Sequence, residues 1–222
     1  MKYKNRRDAG KHLVDNIKSH LDSLEDSLII AIPRGGVPIA YEVSKNIGVP
    51  FYLAITKKLT LPSSPEVAIG AIAADGSYEL NKRVQKYRGI SDDVIQEAKK
   101  HALEKVKKRL EKYTEGKEPI VENKKVIVID DGIATGYTAL VTGKYVRNRG
   151  ADTIILAIPV CPKSSIKRIR KVYNKVICPL RIKTYSFAVG RYYDDFHQNN
   201  DKELYEYLQK AHQEELLYTH LE

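Results

Sequence analysis

V-I-V-I-D-D-G-I-A-T-G-Y-T-A-L, Val126 to Leu140, opens on an unbroken apolar run. Val126-Ile127-Val128-Ile129 is β-branched throughout and shows no polar alternation, so it reads as a strand covered on both faces. Asp130 and Asp131 stand where that strand should end. A short loop follows, bracketed by Gly132 and Gly136, with Ile133, Ala134 and Thr135 between them and Tyr137 and Thr138 just beyond. A helix is expected from there towards Arg149. In an open parallel sheet, ligands bind beyond the carboxyl ends of the strands. This stretch delivers paired carboxylates, a loop whose amides can face an anion, and a helix N-terminus to that place. Glycines let a backbone turn sharply and approach a ligand, and loop amides at a helix start favour phosphate. Adjacent acids suit a metal ion or a pair of sugar hydroxyls. The ligand this chemistry suggests carries both a phosphate and a polyol, as a ribose phosphate does. No Gly-Lys-Ser/Thr follows, which excludes a Walker loop.

Outward from this stretch, a second strand–glycine loop–helix unit precedes it. Leu28 to Ile32 reads as a buried strand, Pro33-Arg34-Gly35-Gly36 as its loop and Val37 to Asn46 as the helix. Arg34 adds a fixed charge beside open amides. Val49 to Thr56 is expected as the next strand, ending at Lys57 and Lys58, a pair able to neutralise a departing anion. Pro62, Ser63, Ser64 and Pro65 break the pattern. Asp75-Gly76 between apolar runs then signals a hairpin, an excursion that could close over the site, with Glu66 on it. Ser91 to Lys112 is a long helix with acids at its start and bases at its end. Its interleaved Lys and Glu residues mark a solvated face. Thr114 to Asn123 is a linker. Thr153 to Val160 and Val176 to Cys178 are further strands flanking a basic helix from Lys163 to Val172. Lys202 to Leu217 is a final amphipathic helix. At the other end, Asp8 is expected to cap a helix from Ala9 to about Leu21, with Arg6 and Arg7 either reaching a phosphate or, as the favoured reading, lying as solvated surface. The alternation of strands and helices argues for an open, mostly parallel twisted α/β sheet with helices on both faces.

The chain has 222 residues, 42% of them apolar, and a net charge of +10. That is one domain with a proper core and a preference for acidic partners such as nucleotides, pyrophosphate or nucleic acid. Cys161 and Cys178 are too few for a disulfide framework and read as small core residues. No histidine or cysteine cluster has metal-ligand spacing, and His197, the histidine nearest the candidate site, reads as surface. No apolar run suggests a signal peptide or a membrane span, so a soluble cytoplasmic protein is the expectation.

Hydrophobics, two acids, then G-I-A-T-G-Y-T resembles the ribose-phosphate signature of type I phosphoribosyltransferases. Pro33 to Gly36 is similar to the pyrophosphate loop of that family, and Phe187-Ala188-Val189-Gly190 with the following Asp194 resembles the tail of its purine-type members. Together with Lys57-Lys58-Leu59 and Pro65 to Ala73, the likeness extends over most of the chain and points to a widespread, poorly defined group of such enzymes. The resemblance implies a single domain over 1–222, with a core over about 24–180, a flap over about 60–82 and a C-terminal hood over about 181–222 joined by part of the N-terminus. It implies transfer of ribose 5-phosphate from phosphoribosyl pyrophosphate (PRPP) to a nitrogenous base, a purine slightly favoured, with Mg²⁺, in a cytoplasmic homodimer. Asp130, Asp131 and Lys57 would be catalytic. Gly132 to Thr138 would hold the 5-phosphate, and Arg34, Gly35, Gly36 and Lys58 the pyrophosphate. Phe187 would stack on the base and Ala188 would read its edge, while Asp130, Asp131 and Asp194 would serve the metal. One departure stands out: Ala134 fills the loop position where 6-oxopurine enzymes commonly carry an Asp, and Pro159-Val160-Cys161 lacks their Lys, so the loop looks more like that of adenine-type enzymes. Two other classes share the fold: a non-catalytic PRPP-binding regulator that grips RNA or DNA, and a PRPP-using enzyme with another acceptor.

Overall fold

The computed structural model describes residues 2–61 and 64–222, with the backbone alone at Pro65. Five parallel strands form the central sheet: β1 (Ser27–Ala31), β2 (Phe51–Leu53), β6 (Lys125–Ile129), β7 (Thr153–Ala157) and β9 (Lys175–Ile177), in the order β2-β1-β6-β7-β9. The apolar runs make these strands because both faces are covered. Ile29, Ala31, Ile127, Ile129 and Ile155 point to one core, and Leu28, Ile30, Val126, Val128 and Ile154 to the other. Helices α1 (Arg6–His20) and α2 (Gly36–Ile47) pack on the first face, and α5 (Tyr137–Asn148) on the second. From β1 the chain steps outward to β2, then returns to lay β6 against β1's other side. The sheet therefore reverses direction between β1 and β6, the place where such folds bind ligands. In register, Ala31 faces Ile129, so the loops after the two strands leave side by side.

The remaining elements lie outside the central sheet. Strands β3 (Thr56–Leu61), β4 (Ser64–Ala73) and β5 (Tyr78–Leu80) form a separate antiparallel sheet in the order β3-β4-β5. The expected hairpin at Asp75-Gly76 is its second turn, held by Ser77 N–H donating to Asp75 Oδ1 at 2.9 Å. The flap differs from expectation in having a third strand. The run from Val49 to Thr56 is interrupted at Ala54-Ile55, and β3 starts afresh at Thr56. Ser64 and Pro65 open β4 instead of breaking structure; Pro62 and Ser63 lie outside the described residues. A short helix, α3 (Lys82–Tyr87), and the long α4 (Asp92–Thr114) follow the flap, and α4 packs Ile95, Ala98, Ala102 and Val106 into the first core.

The C-terminal part, expected as a hood, is built of short elements. Strand β8 (Val160–Pro162) leads into α6 (Lys163–Ile169) and pairs in parallel with β10 (Leu180–Ile182). A 3-10 turn, Val189–Tyr192, precedes α7 (Asp201–Gln213). α7 ends earlier than the expected Leu217 because the tail turns back to cover the sheet edge: Phe51 N–H donates to Leu216 O at 2.9 Å and Tyr218 N–H to Phe51 O at 3.0 Å. An unpaired edge is thereby covered. The N-terminus joins the hood, since Tyr3 is fully buried and its N–H donates to Tyr192 O at 2.9 Å. Helix α1 begins at Arg6, not Ala9. Its cap is Asn5, whose side chain accepts from Asp8 N–H at 3.0 Å, which places Asp8 in the first turn, where an acid favours the helix dipole. Among the described residues no helix is long and apolar enough to cross a membrane.

Candidate active site

Strand β6 ends at Ile129 and delivers Asp130 and Asp131 to the switch point, as the sequence led one to expect. Both residues are half-buried, and Asp131 borders a cleft shared with Arg6, Arg34 and Gly35. Burial, and then the charge of Asp131, push Asp130 well above the usual carboxylate range. Burial raises Asp131 too, against the pull of Arg6. Asp130 Oδ1 accepts the Asp131 N–H at 2.8 Å.

Arg6, for which the sequence favoured solvated surface over contact with a phosphate, turns inward to the acids. Its Nε donates to Asp131 Oδ2 at 2.9 Å and a second guanidinium nitrogen lies 2.9 Å from the same oxygen. The pair is nearly closed to solvent, with side chains 8% and 14% exposed. The guanidinium also donates to His197 O at 2.8 Å and to Asn199 Oδ1 at 3.3 Å, and it lies 4.1 Å from the centroid of the Phe196 ring. Arg6 thus ties α1, the acid pair and the hood together. Arg7, by contrast, has an exposed side chain paired with buried Glu42 at 2.6 Å. Tyr193 closes the same corner, its hydroxyl donating to Asp131 O at 2.6 Å.

The loop after β1 lies against the acids. A Cβ on Gly35 would stand 2.1 Å from Asp131 Oδ2, and one on Gly36 would stand 2.5 Å from Ile129 O, so only glycine lets the two loops approach this closely. The Pro33–Arg34 peptide is cis. The Arg34 guanidinium donates to Asp201 Oδ1 at 2.9 Å, while Tyr113 donates to the same oxygen and Lys112 to the other, both at 2.6 Å. Those three partners hold the Asp201 carboxyl far below its ordinary range. Arg34 is therefore anchored to the start of α7. A cleft of about 510 Å³ opens here, bounded by Pro33 to Gly35, Arg6, Arg109, Asp131, Phe196 and Asn199.

Lys57 and Lys58 part company because alternate strand residues face opposite ways. Lys58, exposed on β3, is the one whose charge acts on both acids. Lys57 is half-buried and its pKa is lowered, by burial first and then by Arg109 and Lys105.

The loop from Gly132 to Thr138 leads into α5. Gly132 and Gly136 have φ of 150° and 79°, left-handed values that favour glycine. Helix α6 holds this loop from behind. Ser165 Oγ donates to Ala134 O and an Arg168 guanidinium nitrogen to Thr135 O, each at 2.6 Å. Arg168 also stacks over Tyr137, 4.6 Å from the ring centroid. Ile133 N–H donates to Val160 O at 3.2 Å, and the amides beyond it lie at the start of α5, a place that favours an anion. Ala134 and Thr135 are exposed and also border a basic cleft of about 860 Å³ with Lys82, Arg83 and Lys171.

In the hood, Phe187 stacks on Tyr192 with centroids 5.2 Å apart and planes at 22°. Ala188 beside it is exposed. Asp194 is not gathered with Asp130 and Asp131: its carboxylate is exposed, with Lys2 Nζ 3.9 Å away. His197 is on the surface between Asp195 and Glu203. Among the described residues no group of three or more His, Cys, Asp or Glu is arranged as a metal cluster. The acid pair nevertheless fits Mg²⁺. It offers hard carboxylate oxygens, of which Asp131 Oδ2 is already paired with Arg6, and Mg²⁺ characteristically takes one or two carboxylates and fills its shell with water and substrate oxygens.

The family model for a phosphoribosyl transferase domain matches residues 2–195. Two curated relatives from Mycobacterium tuberculosis, MT0597 of strain CDC 1551 and Rv0571c of strain H37Rv, each bear the name "Putative phosphoribosyl transferase". Each is 32% identical over 213 residues, which is 96% of this chain and 47% of the relative. The chain thus spans about half the length of the curated relatives it matches. Among solved structures, TT1426 from Thermus thermophilus superposes with a TM-score of 0.76 at 26% identity, covering 95% of this chain and 99% of that one.

Proposed function

The chain belongs to the phosphoribosyl transferase family, and from that premise we propose that it transfers the 5-phosphoribosyl group of PRPP to a nitrogenous base, releasing pyrophosphate. The observation that carries this reading is the meeting of the acid pair, the pinned phosphate loop and the Arg34–Gly35 loop at one switch point.

Such transfers pass through an oxocarbenium-like ring carbon. The protein must then fix the donor's two anionic ends and orient the ribose between them. The amides of Ala134 to Thr138, with the Thr135 and Thr138 hydroxyls, would hold the 5-phosphate. Asp130 and Asp131 would take the ribose hydroxyls, and Arg6 would keep the Asp131 carboxylate ionised and aimed. Arg34, Lys58 and the amides of Gly35 and Gly36 would face the pyrophosphate. Phe187, backed by Tyr192, offers ring surface to a base, which favours a purine over a smaller ring. Asp130 and Asp131 would also hold Mg²⁺, which supplies charge neutralisation to the leaving pyrophosphate.

Asp130→Asn with Asp131→Asn keeps the side-chain shapes while removing both charges, and it breaks the buried pair of Asp131 with Arg6, so the variant is compared below its lowered melting temperature. The double variant is expected to lose turnover with its circular dichroism spectrum unchanged. Full turnover in a folded double variant would refute the assignment.

A further inference from the structure

Cys161 and Cys178 are 17 positions apart in the chain, yet their sulfurs lie 3.2 Å apart. They are the only cysteines of the sequence, so within the molecule each has a single possible thiol partner. Both are buried, 0% and 7% exposed. The sheet builds the contact. Cys161 is the middle residue of β8, where it pairs with Arg181 of β10, and Cys178 lies between β9 and β10. Ile158 N–H donates to Ile177 O at 3.0 Å and Leu180 N–H to Pro159 O at 3.2 Å, fixing the backbone on either side. The transfer reaction described above uses neither thiol.

We propose that Cys161 and Cys178 form a dithiol site that closes to an intrachain disulfide, stapling β8 to the β9–β10 corner. The sulfurs need to approach by only ~1 Å to reach the roughly 2.05 Å of a disulfide. The oxidant class is a hydroperoxide. With hydrogen peroxide, the Cys161 thiolate attacks one oxygen, the O–O bond breaks, and Cys161 becomes a sulfenic acid as the other oxygen leaves as water. The Cys178 sulfur then displaces the sulfenic oxygen, which leaves as a second water, and the S–S bond forms. In sum, two thiols and one peroxide give one disulfide and two waters: the sulfurs lose two electrons and two protons, and the peroxide gains them. A local opening of the β8–β10 corner admits the peroxide to these buried sulfurs, and Cys161 takes the attacking role because the Cys178 thiol donates to it, which holds its pKa below the ordinary value.

The staple acts where the phosphate loop leans. Val160, next to Cys161, accepts Ile133 N–H at 3.2 Å, and its side chain stands 3.0 Å from where a Cβ on Gly132 would be. Closing a loop of this length restricts the unfolded chain, for an expected rise in melting temperature of roughly 6–12 °C.

The test treats the folded, unaltered protein with hydrogen peroxide, removes the oxidant, denatures and counts thiols. The expected result is no titratable thiol, an intact mass lower by two hydrogen atoms, linked peptides bearing Cys161 and Cys178, and the higher melting temperature, all reversed by a phosphine reductant. Two thiols still titrating, added oxygen on sulfur, or covalently linked dimers would each overturn the assignment. The same treatment of Cys161→Ser should leave its melting temperature where it was. Should that variant fail to fold, the thiol count on the unaltered chain still decides, and none of these readouts depends on the proposed transferase activity.

Discussion

Replacing Arg6 by methionine keeps the length and apolar stem of the side chain and deletes its charge. Arg6 and Asp131 are 8% and 14% exposed, and the guanidinium meets Asp131, His197, Asn199 and the Phe196 ring. Removing one partner of a buried pair leaves the other charge uncompensated, at a cost of about 3–5 kcal/mol. In a chain of this size each kcal/mol is worth roughly 2–4 °C, so Arg6→Met should melt ~6–20 °C below the unaltered protein at neutral pH. The pH dependence separates a charge effect from lost packing. Burial already raises the folded-state pKa of Asp131 above its ordinary value of 3.8, and Arg6 opposes that rise. A carboxyl raised in the folded state binds more protons folded than unfolded, so its contribution to stability is complete below its unfolded pKa and is lost as pH rises through the folded one. Without Arg6 the folded pKa climbs further and the window of loss widens upward. Thermal melts of both proteins from pH 4 to pH 8 should therefore show a gap that narrows as pH falls. An unchanged melting temperature at neutral pH, or a gap that stays constant with pH, would refute the reasoning.

Gly35→Ala drives a Cβ to within 2.1 Å of Asp131 Oδ2. Overpacking of this kind costs about 1–3 kcal/mol, and calorimetric titration with PRPP should show weakened or absent binding in a protein that still folds. Ser165→Ala and Arg168→Met each remove one bond to a carbonyl of the loop proposed to hold the 5-phosphate. A hydrogen bond is worth about 0.5–1.5 kcal/mol net, so each should raise the KM for PRPP roughly two- to tenfold with kcat nearly intact; a fall in kcat alone would place their role elsewhere. Chelation of divalent cations with EDTA should abolish turnover, and added Mg²⁺ should restore it; turnover that persists in EDTA would remove the metal from the account.

The core was legible because its signals are local. Continuous β-branched runs at Leu28–Ile32 and Val126–Ile129 can satisfy themselves only in a strand buried on both faces, and the acids and glycines following them fall at the switch point. Arg6 was not legible: it sits 125 positions from Asp131, and nothing in its neighbours distinguishes an arginine that folds inward from one that stays in water. The Asn5 cap could have been read, since Asn5 precedes Asp8 by the spacing of a helix start. The division of labour between Lys57 and Lys58 was also available, because neighbours on a strand face opposite ways. Strands β8 and β10 are three residues each, too short for a period to show, and Pro159 and Pro162 masked the first. The contact between Cys161 and Cys178 arises from that same pairing, and so was hidden with it. The reading of Asp194 followed the resemblance, whereas its carboxylate turns to solvent beside Lys2.

Pyrophosphate release from PRPP and Mg²⁺, measured against a panel of purine and pyrimidine bases, bears most directly on the central claim. Base-dependent release, with the matching nucleoside 5′-monophosphate formed in equal amount, is the expected result and names the acceptor. Binding of PRPP with no release under any base would contradict the transferase assignment and leave a donor-binding protein of the same fold.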